Sequence, residues 1–226
     1  MRVAGIDQSL RCTGVTIKDL DGNLNVVDSR YYFTTSIRKH TYQQGIKPWF
    51  IGKSSGFNKA YKICEHLREI FQSMRDCTYV AMEGYSFGSK SQSLFQLGEL
   101  GGAIRYLVKK NQLKLRVYQP TVIKKWATGK GVGKKAAMYT AYKDMFPNSP
   151  ILSVYDNLNP KLPFEPQLSR AAGKPLCDLI DSDFIATMLC EELRIKRGIN
   201  TLYGRDDIFH SITKNKTDTL AERYFE

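Results

Sequence analysis

Carboxylates set inside apolar runs constrain this chain more than any other feature. In VAGIDQSLRCTGVTI, residues 3–17, Asp7 closes one strand-like run and stands ahead of a second, GVTI. Glu83 repeats the pattern in YVAMEGYSF, after a run of strand-favouring or apolar residues. Asp178 and Asp181 lie in LCDLIDSDFIATML, an otherwise apolar helix start. Burying an unpaired carboxylate costs several kcal/mol even after relaxation. A fold that does so four times must bring up cations, either Lys and Arg partners or metal ions. Each acid also has an ordinary reading. Asp7 suits a turn before Gln8 and Ser9, Glu83 a buried ion pair, and Asp178 and Asp181 a helix N-terminus.

Spacing and charge favour the metal reading of the set. Asp178 and Asp181 are i and i+3 and project from one helix face, while two further acids arrive from strands. Hard oxygen donors of this kind suit Mg²⁺, with Mn²⁺ as a substitute. Such a cluster holds two ions about 3.5–4 Å apart for phosphodiester cleavage. Asp183 lies about 200° around the helix from Asp181 and is expected to face elsewhere.

The chain carries 34 Lys and Arg against 22 Asp and Glu, a net charge of +12, which points to a polyanionic partner, most commonly nucleic acid. Lys124, Lys125, Lys130, Lys134 and Lys135 crowd into one stretch, KKWATGKGVGKK. No Gly-Lys pair in it is followed by Ser or Thr, so it is no P-loop. It reads as a glycine turn that presents lysines and backbone N–H groups to DNA phosphates. Tyr42, Trp49 and Phe50, interleaved with Arg38, Lys39 and Lys47, either stack on opened bases or anchor their loop to the core. Five cysteines without a C-x-x-C pair, and three scattered histidines, argue against a zinc ribbon or disulfide scaffold. Cys12 reads as a packed small residue. No apolar run reaches the roughly 20 residues of a membrane span, and MRVAGIDQ has no signal-peptide core. A cytoplasmic protein with reduced thiols is expected.

Periodicity gives three strands (RVAGID, TGVTIKDL, LNVVDSRYYFTT), an irregular basic and aromatic loop over 36–57, and a helix over NKAYKICEHLREIFQSMRD with Asn58 as N-cap. There follow a strand (CTYVAMEGYSF), a helix (SQSLFQLGELGGAIRYLVKKNQ), a strand (KLRVYQP) and two helices, the second stopped by Pro147. A Pro-rich insertion over about 147–175, a last long helix and a loosely packed polar tail over about 195–226 complete the chain. With no convincing linker, residues 1–226 read as a single α/β domain, a mixed β-sheet flanked by helices. Gly98 and Gly102 place a flat strip on the second helix. With Leu94, Leu97, Gly101, Ile104 and Leu107 or Val108 it reads either as packing on its own sheet or as a dimer face.

Four blocks in order resemble the RuvC-type Holliday junction resolvases of the RNase H-like superfamily, in particular those encoded by phages. They are GIDQSLRCTG, AMEGYSF with LFQLGELGGAIR, YQPTVIKKWATGKGVGKKAAM and DLIDSDFIA, spanning residues 3 to about 193. The resemblance implies an RNase H-like fold and a Mg²⁺-dependent crossover junction endodeoxyribonuclease that acts as a homodimer on four-way junctions. It places Asp7, Glu83, Asp178 and Asp181 on the metal-binding acids, and Lys124 and Lys135 on basic positions near the DNA. Where bacterial members often carry an aromatic, three residues after the second acid, this chain has Ser86, flanked by Tyr85 and Phe87 as candidate DNA contacts. Phage coding would place the protein in the host cytoplasm. Three other readings compete: a broader branched-DNA or flap nuclease, a non-catalytic junction-binding protein of the same fold, and an actin-like ATPase. The last needs a second phosphate loop and an adenosine motif that the chain lacks.

Overall fold

The computed structural model describes residues 1–9, 12–35, 42–50, 59–85, 93–158 and 174–209. Asn58, Ser86, Phe87, Arg38 and Lys39 lie outside them, as do 159–173 of the Pro-rich stretch and the tail beyond 209. The strands are β1 (Arg2–Asp7), β2 (Gly14–Leu20), β3 (Val26–Thr35), β4 (Ile46–Phe50), β5 (Tyr79–Glu83) and β6 (Lys114–Tyr118). The helices are α1 (Lys59–Met74), α2 (Ser93–Lys110), α3 (Pro120–Thr128), α4 (Lys135–Met145) and α5 (Lys174–Lys196), with a 3-10 helix over Pro150–Asn157 before α5.

One six-stranded sheet runs in the order β4-β3-β2-β1-β5-β6. β1, β2 and β3 form an antiparallel meander, and β5 and β6 add in parallel through the crossovers α1 and α2. Strand alternation then sorts side chains between two cores. Ala4, Ile6, Val15, Ile17, Val80 and Met82 pack with Ile70 and Met74 of α1 and Leu100, Ile104 and Val108 of α2. Val3 and Ala81 pack on the opposite side with α5, α3 and α4. Asp7 has the parity of Val3 and Gly5, and Glu83 that of Ala81, so both acids belong to the α5 face. α5 is buried on all sides from Pro175 to Arg194, except that Asp181 is only half-buried.

Three expectations change. Residues 46–50 are not loop but β4, which pairs in parallel with β3. Pro48 is tolerated there because β4 is an edge strand. Trp49 is buried and stacks on Tyr32 at 5.0 Å, and Tyr42 meets Phe33 edge-on at 5.0 Å. Anchoring therefore accounts for both rings. The start of the expected loose tail is packed: Tyr203 meets Trp126 and Phe146 at 5.7 Å each, and Ile208 and Phe209 are buried. The Glu191 carboxylate accepts the N–H groups of Leu202 and Tyr203 and fixes this return. In α2, Gly101, Ile104 and Val108 face the sheet rather than a partner. The open strip of that helix is Phe95, Gly98, Gly102 and Tyr106; the two rings are 79% and 65% exposed, and nothing lies within 4 Å of a Cβ built on either glycine. Cys12 is buried, as expected. Among the described residues, no helix is long and apolar enough to cross a membrane.

Candidate metal centre

Asp7 and Glu83 are the last residues of neighbouring parallel strands, β1 and β5, at the end of an α/β sheet where ligands bind. Asp178 and Asp181 reach the same place because α5 lies almost on the backbone of β1 and β2. A Cβ at Gly5 would overlap the Ser182 carbonyl and the Ala186 nitrogen; one at Gly14 would overlap the Asp178 carbonyl. Down the same face of β2, Thr16 Oγ1 meets Ser182 Oγ at 3.0 Å, and Lys18 Nζ meets Asp183 at 2.6 Å. Gly14, Thr16 and Lys18 thus set the height and rotation of α5, and with them the position of its two acids. Asp183 faces elsewhere, as its spacing requires.

The four acids feel one another's charge. Burial pushes the Asp7 carboxyl well above the usual range; the charges of Glu83, Asp178 and Asp181 and a hydrogen bond with Glu83 add to it. Asp181 is pushed up to about 8 by burial, Glu83 and Asp178, against partial relief from Lys135 and Lys124. Burial also raises Glu83, while its hydrogen bond with Asp7 and the charge of Lys124 pull the other way. Without a cation, burial and mutual repulsion favour the protonated forms of Asp7, Glu83 and Asp181. Among the described residues, no three His, Cys, Asp or Glu side chains stand close enough together as placed to hold a metal ion. The acids stand near enough to repel and to share a proton. Their chemistry fits Mg²⁺ or Mn²⁺, since a hard divalent cation both prefers such donors and relieves their repulsion.

A cleft of about 170 Å³ opens beside them, lined by Glu83, Asp181, Lys124, Lys135, Gly133 and Tyr139 among others. α3 begins with Pro120 and ends on Gly129, whose φ of 77° suits glycine; the Gly129 N–H closes the helix on the Lys125 carbonyl. That turn starts the glycine loop, which returns through Gly133 to Lys135 at the cleft. Lys125, Lys130, Lys134 and Lys135 are exposed and Lys124 is half-buried. Tyr85 is turned onto α2 instead: its hydroxyl donates to the Gly98 carbonyl at 3.2 Å, and Arg105 covers its ring at 4.9 Å. Sequence reasoning missed Tyr139, although its place four residues after Lys135 puts it on the same helix face. A larger cavity of about 380 Å³ lies over the Lys18–Asp183 pair and touches none of the four acids.

No family model and no curated relative matches the chain. Solved structures do. Thermus thermophilus RuvC superposes with a TM-score of 0.51 at 16% identity, over 89% of this chain and 99% of that one. The same T. thermophilus protein in complex with Holliday junction substrate gives 0.53 at 16% identity, over 89% and 98%. The fowlpox virus Holliday junction resolvase gives 0.43 at 13% identity, over 85% and 99%. The RuvC likeness is one of fold, and it bears out the RNase H-like mixed sheet flanked by helices.

Proposed function

We propose that this chain is a divalent-metal-dependent endodeoxyribonuclease that resolves four-way DNA junctions by paired nicks. One observation carries the reading: carboxylates from β1, β5 and α5 gather beside a cleft that Lys124 and Lys135 line. The four acids would hold two Mg²⁺ ions, with Mn²⁺ as a substitute. When bound, such ions supply Lewis-acid stabilisation of the phosphoryl and leaving oxygens and make a bound water more acidic. Lys124 and Lys135 orient the scissile phosphodiester by charge. Lys125, Lys130 and Lys134 hold neighbouring phosphates, which sets register without reading sequence. A carboxylate of the set that faces the attacking water would take its proton. In-line attack leaves 5′-phosphate and 3′-hydroxyl ends, as the sequence resemblance implies.

A four-way junction has two-fold symmetry, and an isologous homodimer matches it with two sites. The open strip of α2, with its exposed Phe95 and Tyr106 around Gly98 and Gly102, supports that assembly. Gly102→Arg should shift sedimentation equilibrium toward monomer and make singly nicked cruciform plasmid accumulate. The working compartment is the cytoplasm, that of the host if a phage encodes the chain. The test of the activity is a labelled synthetic junction incubated with Mg²⁺ or with EDTA, alongside flap and fork substrates. Symmetric nicks that need Mg²⁺ are expected. Equal cutting of all three substrates would favour the broader nuclease, and tight binding without cutting in Mg²⁺ or Mn²⁺ the non-catalytic protein.

A further inference from the structure

Tyr139 is the one aromatic residue that lines the acid cleft among the described residues, beside Glu83, Lys124 and Asp181. Its ring lies against that of Tyr155, on the 3-10 helix, with centroids 5.6 Å apart and planes 25° apart. Tyr155 is 41% exposed and Tyr139 half-buried. Behind them Trp126, Tyr142 and Phe146 contact Phe184 edge-on or tilted, while buried Trp49 stacks on Tyr32, so both modes occur in this fold; what sets the Tyr139–Tyr155 pair apart is its place at the cleft and its exposure. Two rings in offset stacking, held by separate elements, one in the cleft wall and one partly open, make a preset π surface. Tyr139 lines the same cleft as Lys124 and Lys135.

We propose that the Tyr139–Tyr155 pair is a base-stacking platform. It receives the base of an unpaired deoxynucleotide whose phosphate lies against Lys124 and Lys135. This deepens the nuclease reading and rests on it. Stacking on an aromatic side chain accepts any base, because every base has a π face. Taking a base out of its stack costs least where pairing is already broken, so the platform favours branch points over continuous duplex. A ring adds no charge, so its contribution separates cleanly from that of the lysines.

The test uses the full chain in EDTA. A single-stranded oligonucleotide, and a four-way junction labelled at its branch point, each carry 5-iododeoxyuridine and are irradiated with the protein; the cross-linked peptide is identified by mass spectrometry. The expected adduct is on Tyr139. In fluorescence anisotropy, Tyr139→Leu should bind the single strand roughly tenfold more weakly and Tyr139→Phe within about twofold of wild type, both with an unchanged salt slope. Should Tyr139→Leu fail to fold, Tyr155→Leu, at the exposed ring, should still weaken binding roughly threefold. Adducts only at other residues, or wild-type affinity in whichever leucine variant folds, would overturn the platform. A wild type that cross-links through Tyr139 yet leaves the junction uncut in Mg²⁺ contradicts the nuclease reading and keeps the platform. One that cuts the junction but gives no adduct on Tyr139 contradicts the platform alone.

Discussion

Helix α5 buries acids in two ways, and the contrast separates structure from function. Along its middle and end, each acid meets a cation or donors. Asp183 pairs with Lys18 at 2.6 Å and accepts from the Tyr142 hydroxyl at 2.6 Å. Glu192 pairs with fully buried Arg116 at 3.0 Å and accepts the Tyr118 hydroxyl. At its start, Asp178 and Asp181 meet Asp7 and Glu83, and the nearby lysines relieve the repulsion only in part. One helix on one sheet thus shows that the fold can supply a matched cation to a buried acid. The clustered set stands where a cleft opens.

Cutting a matched pair should have the largest effect. Lys18→Met leaves Asp183 buried with the Tyr142 hydroxyl but no cation, and should cost about 3–5 kcal/mol in urea unfolding. A loss below about 1 kcal/mol would erase the distinction between the two kinds of acid. The shared scaffold comes next. Gly14→Ala forces a Cβ against the Asp178 carbonyl and should cost about 1–3 kcal/mol. It should also lower junction cleavage about a hundredfold, since Asp178 and Asp181 move with the helix. Gly22→Ala, with nothing within 4 Å of the new Cβ, should stay within about 0.5 kcal/mol of wild type.

Neutralising a cleft acid should act with the opposite sign. Burial and the charges of Glu83 and Asp178 push Asp181 up to about 8 in the fold, far above its ordinary value of 3.8. Between those limits the native state binds a proton that the unfolded chain has released, so stability falls as pH rises. In EDTA, Asp181→Asn should therefore be more stable than wild type by at least about 1 kcal/mol at pH 8, with a smaller gain at pH 5. It should also be inactive in Mg²⁺. A variant less stable than wild type at pH 8 would mean that this acid is satisfied as it stands. The smallest effects belong to the rim: Lys124→Ala and Lys135→Ala should each lower the log–log salt slope of DNA binding by about 0.9.

Much of this was legible in the sequence because period-2 alternation is local. Asp7 and Glu83 read as acids ending apolar strands, and the i, i+3 spacing of Asp178 and Asp181 fixes one helix face. The partners of Asp183 and Glu192 were not legible. Lys18 is 165 residues from Asp183, and only the register of β2 under α5 brings them together. β4 was hidden because basic, aromatic and proline residues mask the signal of an edge strand with one neighbour. The orientation of α2 was misjudged for a related reason. Its glycines and its leucines both suggest close packing, and only contact with the sheet shows that Gly101, Ile104 and Val108 turn inward while Gly98 and Gly102 stay open.

The central claim is that the four clustered acids form one divalent-cation site. The most direct measurement titrates Mn²⁺ into the metal-free protein at pH 8 and follows free Mn²⁺ by electron paramagnetic resonance, for wild type, Asp7→Asn, Asp181→Asn and Lys18→Met. The account predicts saturable binding to wild type, at least tenfold weaker binding to Asp7→Asn and Asp181→Asn, and, for whatever fraction of Lys18→Met remains folded, binding like that of wild type. Equal Mn²⁺ binding by wild type, Asp7→Asn and Asp181→Asn, or no saturable binding to any of them, would contradict it.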